Sequence, residues 1–249
     1  MSNLRLAVIG VGHLGKEHAR ILSQMPEVDL VGVVDQRPEQ VEQVAKRCST
    51  RAFLEHGPLI NQIDAAVIAV PTVHHFTVAK SCLEHGIPLL IEKPFAIDVD
   101  QANTLLSLAK QKKVMIQIGH IERFNPVFEE LLRRPIQPHM TTSERLSPYT
   151  GRSTDIGVVL DLMIHDLDMI LTLVRSPIKS VQAVGVSIVG GHEDLVQAHL
   201  CFESGCMATV RASRVANAPV RRMEVFGSEG IAHLDFHRKE LTLSQCDPG

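Results

Sequence analysis

The stretch Leu4-Arg5-Leu6-Ala7-Val8-Ile9-Gly10-Val11-Gly12-His13-Leu14-Gly15 decides the fold. A short, mostly apolar run ending in Val8-Ile9 leads into G-x-G-x-x-G, and an amphipathic helical pattern takes over from Leu14 to Gln24. Strand, glycine turn and helix in that order open a dinucleotide-binding unit. Gly10 permits the tight turn, Gly12 lets a pyrophosphate approach the backbone, and Gly15 lets the helix pack on the strand. The helix N-terminus adds free N–H groups and the positive end of its dipole. A second β-rich run, Leu30 to Val34, ends in Asp35, 20 residues beyond Gly15, where an acid accepts ribose hydroxyls. Its carboxylate would repel a 2′-phosphate, so the expected cofactor is NAD, while the neighbouring Arg37 leaves NADP open. Gly10, Gly12, His13, Leu14, Gly15 and Asp35 are the expected contacts on this side.

Outward from this turn, short apolar runs alternate with amphipathic segments as far as residue 118. Strands are expected at Leu4 to Ile9, Leu30 to Val34, Ala65 to Val70, Pro88 to Ile91 and Val114 to Ile118. Helices are expected around Leu14 to Gln24, Pro38 to Arg47, Phe76 to Glu84 and Val99 to Gln111, the last capped by Asp98. That is a doubly wound α/β fold with a parallel sheet. After Pro135 one long apolar helix, Val158 to Val174, precedes consecutive strand-like runs near 179–189, 196–203, 206–214, 220–226 and 230–236. Strands in succession predict a mostly antiparallel sheet in an α+β domain. The boundary is expected in the polar segment 121–138, giving a nucleotide-binding domain, 1–120, and a second domain, 121–249.

Two strand ends place chemistry at the carboxyl edge of the first sheet, where ligands of open α/β sheets bind. One reads Ala69-Val70-Pro71-Thr72, followed by His74-His75, and the other reads Ile91-Glu92-Lys93-Pro94. Pro71, Thr72, His75, Glu92 and Lys93 are therefore expected to face the nicotinamide half of the cofactor. In the helix 158–174, Asp161, His165, Asp168 and Thr172 share one narrow face and Asp166 lies off it. A carboxylate one turn from an imidazole can orient the ring and raise its basicity.

Composition excludes several classes. The 25 basic and 28 acidic residues are spread along the chain, so no face is built to track nucleic acid. No apolar run reaches the ~20 residues that span a bilayer, and the N-terminus lacks the pattern of a signal peptide. Five cysteines, odd in number and without C-x-x-C, suggest neither a disulfide framework nor zinc, so a reducing cytoplasm is expected. The 13 histidines are dispersed without ligand spacing, and no metal is expected.

Gly10 to Gly15, Pro71-Thr72-Val73-His74-His75, Glu92-Lys93-Pro94 and Asp161-x-x-x-His165 together resemble the glucose-fructose oxidoreductase/inositol dehydrogenase (Gfo/Idh/MocA) family over nearly the whole chain. The resemblance implies an enzyme that oxidises a secondary hydroxyl of a sugar, with Lys93, Asp161 and His165 around the reacting carbon. Either Lys93 or His165 would take the hydroxyl proton. The run Gly119 to Pro126, with Gly157 to His165, is similar to the branch that acts on the 3-hydroxyl of UDP-N-acetylglucosamine. Alternatives are a free sugar or inositol-like polyol, or a non-catalytic dinucleotide-binding sensor. A diphosphate calls for cations, so Arg123, Arg145 and Arg152 are expected to anchor it. Tyr149, His120, Lys93 and His165 are further expected substrate contacts. Thr72 stands where the family often has asparagine. The chain also ends before the closing strands and final helix, which reads as a C-terminal truncation. The second sheet leaves a face uncovered, so a homodimer or homotetramer is expected.

Overall fold

Strand β1 (Leu4–Ile9) ends in four consecutive buried residues, as a strand covered on both faces must. It pairs in parallel with β2 (Val28–Val34) on one side and β4 (Ala65–Ile68) on the other. Beyond β2 lies β3 (Arg51–Phe53), and beyond β4 lie β5 (Leu89–Ile91) and β6 (Ile116–Ile118), in the order β3-β2-β1-β4-β5-β6. Winding reverses between β1 and β4, which opens a crevice at the carboxyl ends of those strands. The crossovers are α1 (Gly15–Leu22), α2 (Pro38–Arg47), α3 (His75–Glu84) and α4 (Val99–Lys112). Pro38 starts α2 at its first turn, and Asp98 caps α4 by accepting the Gln101 N–H at 2.7 Å. Alternate side chains of β1 feed opposite clusters: Ala7 and Ile9 pack with Ile68, Leu83, Ile91 and Leu105, and Val8 with Ala19, Val33 and Val41. The expected doubly wound parallel sheet is present. The expected strands omitted β3, whose three residues, two of them exposed, carry no periodic signal.

The computed structural model describes residues 3–151 and 155–245, and the chain divides into two compact units, Met1–Gly119 and His120–Gly249. The second unit begins with a 3-10 turn, Ile121–Phe124, and α5 (Pro126–Leu132), followed by β7 (Pro138–Leu146). A π-helical turn, Val159–Met163, then runs into α6 (Ile164–Val174). The remaining strands are β8 (Ile178–Val186), β9 (Leu195–Phe202), β10 (Met207–Ser213), β11 (Val220–Gly227), β12 (Gly230–Asp235) and β13 (Glu240–Ser244). They form a seven-stranded sheet in the order β13-β12-β11-β7-β10-β9-β8. All neighbours are antiparallel except β7 and β10, which run parallel. Phe128 and Leu131 of α5 and Met169 and Ile170 of α6 pack on Phe202, Val210 and Met223 of the sheet.

Two expectations change here. Segment 121–138 holds a turn and a helix rather than a polar connection, and the expected single helix 158–174 begins as a π turn. Strand β7 was unforeseen because its buried, inward residues are Thr141, Ser143 and Arg145. Hydrophobic alternation is the signal of a half-buried strand, and polar alternation leaves none. Among the described residues no helix is long and apolar enough to cross a membrane.

Phe128 is fully buried whereas Phe124 is largely exposed. Phe128→Ala should therefore cost about 3–5 kcal/mol of stability, and Phe124→Ala no more than about 0.5 kcal/mol. Urea unfolding of both variants checks this; similar midpoints would contradict the packing described.

Candidate active site

The turn after β1 is shaped by three glycines with different surroundings. Gly10 has φ +88°, and a Cβ on it would lie 2.6 Å from the Val70 nitrogen. A Cβ on Gly15 would lie 1.8 Å from the Gly10 carbonyl oxygen. Gly12 is the opposite case, since a Cβ there meets nothing within 4 Å. That open space above the turn, at the start of α1, is what an approaching pyrophosphate requires. His13 and Leu14 are exposed beside it.

Asp35, just past β2, accepts the Val11 N–H at 3.1 Å and the Arg37 N–H at 3.1 Å. The Arg37 guanidinium forks onto the same carboxylate, Nε to Oδ1 at 3.1 Å and Nη2 to Oδ2 at 3.3 Å. Burial works to raise the Asp35 carboxyl, but Arg37 and the two backbone N–H groups outweigh it and hold it below the usual carboxylate range. An ionised acid and an open glycine turn fit the ribose and pyrophosphate of a dinucleotide.

At the carboxyl edge Pro71 is exposed, while Thr72, His75 and Glu92 are buried. The His75 ring lies between two backbone carbonyls, with Nδ1 2.8 Å from Pro94 O and Nε2 2.9 Å from Val70 O. It braces the end of β4 against the segment after Lys93, and burial lowers its pKa. Expected to face a ligand, it is turned inward. Glu92 likewise directs its carboxylate into the protein, with Oε1 2.7 Å from His18 Nε2 and Oε2 accepting the Lys93 N–H at 3.3 Å. Lys93 is half-buried just past β5, and its bond to Pro94 is cis. His18 was absent from the expected site. The available signal was its place three residues after Gly15, on the same side of α1.

In the second unit Asp161 lies in the π turn and His165 in α6, both half-buried. Such π turns recur at functional sites. One further turn along, Asp168 receives the Arg123 guanidinium, Nε to Oδ2 at 2.7 Å, with His120 Nδ1 3.8 Å from Oδ2. His120, Arg123 and Asp168 are thus brought together. Tyr149 is exposed, and Arg152 lies outside the described residues.

Arg145, expected to anchor a diphosphate, is only 3% exposed and does something else. Its Nε lies 2.7 Å from Asp166 Oδ2 and its Nη1 3.0 Å from Glu122 Oε1, while Ser143 donates to Asp166 Oδ1 at 2.5 Å. Burial works to discharge the guanidinium, but the two carboxylates outweigh it and raise its pKa. Asp166, which lies off the face of Asp161 and His165, is therefore the buried anchor of α6. Among the described residues no cluster of three or more His, Cys, Asp or Glu side chains suits a metal ion.

Comparison with known proteins gives consistent matches. The family model for the oxidoreductase family with NAD-binding Rossmann fold (GFO/IDH/MocA) matches residues 4–120. The GFO/IDH/MocA C-terminal domain matches residues 117–233. The UDP-N-acetylglucosamine 3-dehydrogenase of Acidithiobacillus ferrooxidans is 39% identical over 98% of this chain and 77% of its own length. A solved structure of that enzyme has a TM-score of 0.92, with 38% identity over 98% of this chain and 81% of that one. The NAD-dependent scyllo-inositol 2-dehydrogenase of Bacillus subtilis is 28% identical over 91% of this chain and 72% of its own length.

Because Arg145 is sealed in, Asp166→Ala should cost about 3–5 kcal/mol by leaving a buried guanidinium short of its main partner. Lys80 and Glu84, by contrast, are both about half exposed, so Lys80→Ala should cost less than about 1 kcal/mol. Guanidinium chloride unfolding compares them, and equal losses would refute the buried-anchor account.

Proposed function

The chain belongs to the Gfo/Idh/MocA oxidoreductase family, and on that premise we propose that it oxidises the 3-hydroxyl of UDP-N-acetylglucosamine with NAD. The observation that carries this reading is the 39% identity, over 98% of the chain, to a UDP-N-acetylglucosamine 3-dehydrogenase. A free polyol is the second reading, favoured by the inositol dehydrogenase relative.

Residues 1–120 act as the nucleotide-binding domain and 121–249 as the substrate and oligomerisation domain. Gly10, Gly12, His13, Leu14 and Gly15 hold the pyrophosphate, and Asp35 takes the adenosine ribose, with the exposed Arg37 fork giving way. Pro71, Thr72, His75 and Glu92 shape the nicotinamide end. Bound NAD supplies the hydride acceptor. The Lys93 ammonium holds the substrate oxygen and stabilises the negative charge that develops on it. His165, oriented by Asp161, takes the hydroxyl proton, and Lys93 is the alternative acceptor. His120, Arg123, Tyr149 and Arg152 are assigned to the nucleotide sugar, with the arginines on its diphosphate.

Location in the cytoplasm belongs to the same reading, on the ground that the five cysteines are odd in number and form no C-x-x-C pair. So does assembly into a homodimer or homotetramer. Every residue of β8, at one edge of the sheet, is exposed, Val181, Val184 and Val186 among them. An uncovered apolar edge strand calls for a partner.

Steady-state rates at 340 nm with UDP-N-acetylglucosamine, UDP-glucose, free N-acetylglucosamine and myo-inositol test the substrate. The first should exceed the free sugars by ~100-fold or more in kcat/KM, with NAD preferred to NADP. A free sugar matching it would favour the polyol reading. Sedimentation at micromolar concentration should reveal two or four copies, and a stable monomer would exclude the assembly.

A further inference from the structure

We infer that His18 is a positioning residue for Lys93, acting through Glu92; the inference rests on the role given to Lys93 above. His18 belongs to α1, the helix that follows the glycine turn, and Glu92 is the residue between β5 and Lys93. Their side chains meet at 2.7 Å and are 24% and 7% exposed. A charge-assisted bond so shielded from water is stronger and better defined than a surface pair. The other carboxylate oxygen accepts the Lys93 N–H. The remaining side is closed by Gly119, where a Cβ would come within 2.9 Å of Glu92 Oε2.

The Glu92 carboxylate is thus gripped from three directions: by a helix, by the terminus of β6 and by the backbone of the residue it precedes. Fixing that carboxylate fixes the main chain from which the Lys93 side chain departs. Turnover depends on where a positioned ammonium sits to within about 1 Å, and a displacement of that size can cost about 100-fold. His18 is the one of the three grips that a single side-chain change can release. It also couples the turn expected to bind pyrophosphate to the residue expected to bind the reacting oxygen.

The test uses the full chain, NAD and the panel substrate that is turned over fastest. His18→Ala should lower kcat by about 10–100-fold with the NADH dissociation constant within about threefold of wild type. His18→Gln, whose amide N–H reaches the same carboxylate, should recover kcat to within about threefold. His18→Asn, too short to reach, should behave as the alanine variant does, and it decides the matter if the latter fails to fold. Acetylation of Lys93 by acetic anhydride in NAD-free protein, followed by peptide mass spectrometry, supplies a readout independent of turnover. Its rate should change at least threefold in His18→Asn and stay near wild type in His18→Gln. Equal kcat and equal Lys93 acetylation in the folded Asn and Gln variants would overturn the inference. Lys93→Ala runs alongside: normal turnover there refutes the role of Lys93 itself, whereas its loss together with wild-type kcat in His18→Ala refutes only the positioning by His18.

Discussion

Helix α1 meets the end of β1 across a contact that only glycine permits. The Cα of Gly15 lies so near the Gly10 carbonyl that a methyl group would overlap it, and much of the first unit's functional edge follows from that closeness. With α1 seated there, its first turn follows directly on the open space at Gly12, and the Lys16 N–H closes back on the Gly12 carbonyl. Val11 is near enough to donate to Asp35, joining the end of β1 to the end of β2. His18, one turn further along, comes within reach of Glu92. A bulkier residue at position 15 would move these groups together, because they share one rigid helix.

The second unit is organised around polarity in an unusual place. Central strand β7 turns Thr141, Ser143 and Arg145 toward the core, and α6 answers with Asp166. Glu122, itself bonded by the Asn125 amide, completes the cluster around the guanidinium. A buried ion pair of this kind gives little net stability over well-packed apolar residues. What it supplies is register, since sliding α6 by one residue would bury Asp166 without its partners. The π turn before α6 and the face carrying His165 and Asp168 are held by that choice. A second buried pair, Arg214 with Asp194, works locally: Asp194 accepts the N–H groups of Ile188, Val189 and Gly190, and these bonds hold its carboxyl far below the usual range.

Much of the first unit could be read from the chain because its signals are local. Strand, glycine turn, helix and distal acid lie within the first 35 residues, and fully buried parallel strands announce themselves as apolar runs. The edge strand β3 is too short to do so. Arg145 shows why other features stayed hidden. A lone arginine near a domain boundary looks the same in sequence whether it faces solvent or two carboxylates. Its partners at 122 and 166 lie on separate elements, and only the packing of α6 on β7 brings them together. His18 escaped for a related reason, since its meaning depends on Glu92, which is far away in sequence and adjacent across the sheet.

The position of β7 also bears on how the chain assembles. Residues 138–146 are made early in the second unit, yet their sheet neighbours are residues 207–213 and 220–227. Strands β8, β9 and β10 can pair with one another as each leaves the ribosome, whereas β7 must wait for both of its partners. Non-local pairing of this sort is slow, and an unpaired apolar strand is an aggregation hazard while it waits. Thr141, Thr142, Ser143, Glu144 and Arg145 make β7 a poor template for wrong partners. The polarity that conceals this strand from a hydrophobic reading also lowers its tendency to pair wrongly before its sheet neighbours are made.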